Sequence, residues 1–136
     1  MQMSWSYTAP IVASWARARS RGARRFTDPR HAAALETHRM HALAARPRGW
    51  RTDGVYCVDV TYCPPDGRRR DKDRVESLVL DALKGVAYDD DSDRYLVDGR
   101  TRCVRAGAFE GVPGTTQVAI TRIGDAPVVA RKRRAA

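Results

Sequence analysis

The chain has 136 residues, 25 Lys and Arg against 16 Asp and Glu, and a formal net charge of +9. A chain of this length holds one core without staples, and an excess of this size in a small domain points to a polyanionic partner, nucleic acid first. It contains no apolar run approaching the roughly 18 residues of a membrane span and no charged-then-apolar leader pattern, so a cytoplasmic protein is expected. Cys57, Cys63 and Cys103 lack CxxC spacing and read as reduced thiols, not as a disulfide frame or zinc site.

Met3 to Val12 alternates Trp5, Tyr7 and Ile11 with small polar residues and predicts a strand ending near Pro10. Ser14 to Phe26 is rich in Gly and Arg and reads as a connection too polar to pack, with Trp15 covering a core edge in preference to stacking on a base. Asp28-Pro29 starts a helix that the strong helix formers carry to Ala45. That helix holds His31, His38 and His41, which lack a cysteine or acidic partner for a metal and are expected as helix surface or phosphate contacts.

Pro47 and Gly49 end the helix. Val55 to Cys63 alternates as a strand, with Tyr56, Val58, Val60 and Tyr62 on one face, and Pro64-Pro65-Asp66-Gly67 turns the chain. Next comes an amphipathic helix with Val75, Leu78, Val79, Ala82 and Leu83 as its buried stripe, Asp71 or Asp73 as its cap, and Gly85 where a left-handed residue is wanted. Asp89, Asp90 and Asp91 follow. Arg94 to Arg105 reads as strands around an Asp98-Gly99 turn, Thr116 to Ile123 as another strand, and the residues from Asp125 onward as a basic tail. The expected fold class is α/β (α+β): one domain over residues 1–124, with two helices on a mixed sheet.

The basic residues cluster as Arg17, Arg19, Arg21, Arg24 and Arg25, then Arg46 to Arg51, then Arg68, Arg69, Arg70, Lys72 and Arg74, and a terminal RKRR. Arginine's planar fork suits phosphate, which makes these the candidate DNA contacts. Inside this basic field the DxD of Asp71 and Asp73 and the acidic run through Asp91 are oxygen donors of the kind magnesium takes, usually one or two carboxylates together with substrate phosphates. A helix cap followed by a solvated acidic loop would give the same spacing.

The central block resembles the RusA-type Holliday junction resolvases of phages and prophages, whose core reads approximately D-x-D-N-x-x-K, an LDAL-like helix, G and an aromatic residue, then D-D-x-Q-V. Here stand Asp71-Lys72-Asp73-Arg74, Leu80-Asp81-Ala82-Leu83, Gly85, Tyr88 and Asp90-Asp91 in register. The resemblance implies a homodimeric Mg²⁺-dependent endonuclease, with Mn²⁺ as substitute, acting on four-way DNA junctions. Asp71, Asp73 and Asp91 would be its catalytic carboxylates, and Asp90 a further metal-site carboxylate. Two positions depart from the pattern: the family asparagine is Arg74 and the family lysine is Ser77. A branched-DNA-binding protein that has lost cleavage is the alternative, and a general RNA-binding protein a third reading.

Overall fold

The computed structural model describes residues 3–12, 19–21, 24–26, 29–65, 71–92, 94–97, 99–104 and 112–125. In chain order the elements are β1 (Ser4–Ala9), β2 (Arg19–Arg21), β3 (Arg24–Phe26), α1 (Pro29–Ala45), β4 (Gly54–Cys63), α2 (Lys72–Ala82), β5 (Leu96–Val97), β6 (Thr101–Cys103) and β7 (Thr115–Asp125). Five strands form a mixed sheet in the order β1-β7-β4-β5, with β6 also on β4, and β2 pairs β3 as a separate ribbon. The domain is α+β.

Alternation decides the faces. Trp5 and Tyr7 of β1, Tyr56, Val58, Val60 and Tyr62 of β4, and Val118 and Ile120 of β7 are buried on one side, where both helices lie. The facing stripe on α2 is Val75, Leu78, Val79 and Ala82, continued by Leu83. Removing that area from water, at roughly 25 cal/mol per Å², is the main force holding the helices on the sheet. Trp5, Trp50, Tyr56 and Tyr88 form a ladder of rings with centroids 5.6 to 6.1 Å apart, in the offset and edge geometries aromatic quadrupoles favour.

Arginines close the helix layer. Arg39 of α1 donates to the Ala82 carbonyl (3.0 Å) and Arg46, just beyond α1, to that of Val86 (3.0 Å), while Trp50 donates to Ala87 (2.9 Å). These carbonyls belong to the end of α2 and the turn after it, where backbone acceptors lack helical partners and cations are favoured.

Three expectations change. First, the polar stretch before Phe26 is not simply a connection: residues 19–21 pair antiparallel with 24–26, since backbone pairing needs no apolar side chains. Second, the strands on either side of the expected turn do not form a hairpin with each other: β5 and β6 each pair parallel with β4, and Asp98 lies outside the described residues. At position 99 a Cβ would collide with the Val58 carbonyl, so glycine here serves close backbone approach, not a reverse turn.

Third, His38 is fully buried, although the polar character of histidine suggested a surface place. Its Nδ1 lies 2.9 Å from the Tyr7 hydroxyl, and its Nε2 is buried without a partner among the described residues. Burial, with His41 as a further cause, lowers its pKa from 6.5 to about 4. Because the folded state disfavours the proton, the neutral form's contribution is complete above the unfolded pKa and is lost as pH falls from 6.5 toward 4. That loss amounts to about 3 kcal/mol at 1.36 kcal/mol per pKa unit. Urea denaturation at pH 7 and at pH 4.5 should show most of it, and His38→Gln should flatten the profile; a variant with the wild-type pH slope would remove His38 as its source.

Candidate metal and nucleic-acid site

Asp71 is the N-cap of α2, with extended backbone, and its Oδ1 accepts from the Asp73 N–H at 3.0 Å. Asp73 falls in the first helical turn, where negative charge is favoured by the helix dipole. Both carboxylates are exposed, and among the described residues that of Asp73 has no hydrogen-bond or ion-pair partner. The capping chemistry therefore leaves oxygens available at this end of the helix. Lys72 is exposed beside them and Arg74 half-buried.

At the other end of α2 the C-cap is Leu83, and Gly85 takes the left-handed conformation at φ 75° two residues later. Asp89 is fixed to Thr52, its N–H on the Thr52 carbonyl (2.9 Å) and its Oδ1 accepting from the Thr52 hydroxyl (2.6 Å). The Asp90 carboxylate accepts from the Asp91 N–H at 2.9 Å. Asp91 faces Lys84, 3.4 Å from its ammonium, which also lies 3.3 Å from Asp81. Hydrogen bonding to Asp81 and the charge of Asp91 hold the Lys84 ammonium above lysine's ordinary range.

Asp71 and Asp73 thus stand at the start of the eleven-residue α2, whereas Asp91 lies against Lys84, beyond its other end. Among the described residues no group of three or more His, Cys, Asp and Glu side chains is placed to hold a metal ion. Asp71 and Asp73 by themselves are the one or two carboxylates that magnesium takes when phosphates and water complete its shell, so this half of the donor set suits the ion.

Of the expected DNA contacts, Arg19, Arg21, Arg24 and Arg25 lie on the β2–β3 ribbon, in the register Arg21 opposite Arg24 and Ser20 opposite Arg25. Arg17, Arg68, Arg69 and Arg70 lie outside the described residues. Arg39, Arg46 and Arg51 are engaged with protein acceptors, the last with Asp53 at 2.8 Å. Cys57, Cys63 and Cys103 form no disulfide. Lys84 is the residue that sequence reasoning missed at this site, although it directly follows the LDAL block.

No protein-family model matches the chain, and no curated protein matches it. No helix among the described residues is long and apolar enough to cross a membrane.

Proposed function

We propose that the chain is a magnesium-dependent endodeoxyribonuclease of the RusA type that cuts branched DNA, four-way junctions first. The observation that carries this is the pair of exposed carboxylates at the start of α2, Asp71 and Asp73, set in a chain of net charge +9. Bound magnesium would lower the pKa of a water and stabilise the leaving oxygen of a phosphodiester. Asp71 and Asp73 would supply its protein oxygens. The N-cap role of Asp71 helps here, because the Asp73 N–H holds its carboxylate in one orientation. The arginines of β2–β3 and the Arg68 to Arg70 cluster would hold the arms through backbone phosphates, which fixes position without reading sequence.

Asp90 and Asp91 enter this scheme through a second copy of the chain. Since Asp71 caps the start of α2 and Asp91 lies against Lys84 beyond its end, two antiparallel α2 helices related by a two-fold axis would set the end of one beside the start of the other. Such a dimer also presents two equivalent sites to two opposed strands of a junction.

Cleavage of a synthetic four-way junction by the wild-type chain, present with Mg²⁺ and absent with EDTA, tests the proposal. Tight junction binding without cleavage would instead favour a DNA-binding protein that no longer cuts, the reading that Ser77 supports. Ser77 is exposed on α2, four residues after Asp73 and so on the same face one turn on. A lysine there would add a donor to charge developing on the phosphate, an effect that reaches about 2.7–4 kcal/mol in well-formed sites. Ser77→Lys is therefore expected to raise single-turnover cleavage at least about tenfold, a figure discounted for coupling to neighbouring side chains. No gain over a fast wild type would transfer the role to Arg74 or Lys72, with Arg74→Ala then the damaging change.

A further inference from the structure

We infer that the face of the sheet turned away from the helices is a second phosphate-binding surface, one that takes the backbone of a single nucleic-acid strand. The register builds it. Arg102 lies opposite Thr61 in the parallel β4–β6 pair, so its side chain shares the open face with Thr61, and Arg100 two residues earlier does the same. Thr101 between them points to the helix side, where its hydroxyl donates to Glu76 of α2 at 2.7 Å and fixes the rotation of β6. Gln117 of β7 stands opposite Thr61 from the other side. Together with Cys57 and Asp59 these residues line a cleft of about 580 Å³.

Both guanidiniums are exposed, and among the described residues neither has a hydrogen-bond or ion-pair partner. They contrast with Arg39, Arg46 and Arg51, whose donors are already committed to the protein. The acid in the cleft, Asp59, has its Oδ1 taken by the Arg100 N–H at 2.9 Å. Its charge would keep phosphates toward the arginine edge. Arg100 and Arg102 are about 6.6 Å apart along the strand direction, which matches the separation of adjacent phosphates in a nucleic-acid chain. Arginine forks, a threonine hydroxyl and the Gln117 amide are all phosphate donors.

The surface reads backbone, not bases. The aromatic rings of β1 and β4, Trp5, Tyr7, Tyr56 and Tyr62, all face the helices, so the described open face offers no stacking platform. Binding there would be tolerant of sequence and strongly dependent on salt. The cleft has room for a sugar-phosphate segment of one strand but not for a duplex. Cys57 takes no ionic part, because burial and the neighbouring Asp59 push its thiol up. The inference rests on the reading of the chain as a nucleic-acid protein, and it does not depend on the metal site.

The test is fluorescence anisotropy in EDTA with a labelled oligothymidylate, a blunt duplex and a four-way junction. The proteins are the full wild-type chain, the double variant Arg100→Ala with Arg102→Ala, and the matching double Lys variant, each confirmed folded by circular dichroism. The Ala pair should lose at least about tenfold in oligothymidylate affinity and about 1.4 from the log–log salt slope, as expected for two phosphate contacts to a single strand. The Lys pair should recover most of the slope, and duplex binding should change little. Unchanged oligothymidylate binding in the Ala pair would overturn the inference, as would an equal loss on the duplex. A wild type that binds the oligonucleotide as described but fails to cut junctions with Mg²⁺ would sink the nuclease proposal and leave this surface standing.

Discussion

Junction affinity is expected to fall by roughly 10³ to 10⁵ between 50 and 200 mM salt, the loss that accompanies six to ten phosphate contacts. The chain's +9 charge supplies the driving force, since each phosphate neutralised releases condensed counterions. The structure narrows the source. Arg39 and Arg46 serve the end of α2, and Arg51 and Arg122 pair with Asp53 and Asp125. On the proposed function, the remaining basic residues, among them Arg19, Arg21, Arg24 and Arg25 on β2–β3, would hold the DNA. Replacing those four with alanine should reduce the salt slope by about 0.9 for each phosphate that the variant no longer neutralises. Anisotropy titrations at several salt concentrations measure both quantities, and a flat wild-type response would remove the electrostatic basis of junction binding.

Asp73→Asn should lower Mg²⁺-dependent junction cleavage at least about a hundredfold, the scale of losing a group that stabilises the transition state electrostatically. Binding in EDTA should be retained or strengthened, because one less negative charge near the phosphates cannot weaken their attraction to the arginines. Fold stability should change little: Asp73 gives its N–H, not its carboxylate, to the cap hydrogen bond. Asp71→Asn would be less clean, since that side chain also caps α2. Asparagine is itself a good cap, so helix content measured by circular dichroism separates the two effects. Wild-type cleavage rates for Asp73→Asn would displace the site from the start of α2.

Much of the fold is legible in local sequence. The span of α1 follows from Pro29 at its first position and the helix formers up to Ala45, and the stripe from Val75 to Leu83 with Asp71 before it fixes α2 to within two residues. β4 follows from strict alternation, and β1 and β7 from weaker versions of it. These signals are local because hydrogen bonding within a turn and the direction of successive side chains are set by neighbours in sequence. For the site, a cap at Asp71 or Asp73 was readable in the same way, and the structure gives the role to Asp71.

Partners distant in sequence decided the rest. His38 looked like a surface residue until β1 brought Tyr7 to it, 31 residues away in the chain. Asp98-Gly99 carries a hairpin signal, yet β4 offered an open edge to both β5 and β6, and parallel pairing with it outweighed the local turn preference. The separation of Asp71 and Asp73 from Asp90 and Asp91 was set by the length of α2 together with the anchor of Asp89 on Thr52, a contact no spacing rule announces. The open-face cleft joins residues of β4, β6 and β7, so Arg100 and Arg102 acquired a shared surface only when the sheet assembled. The sequence by itself determined the helices, the alternating strands, the charge and the caps, all of which depend on near neighbours. Tertiary structure alone decided which buried polar groups meet, how the last strands pair and which charges share a face, because those depend on surfaces that exist only after distant segments pack.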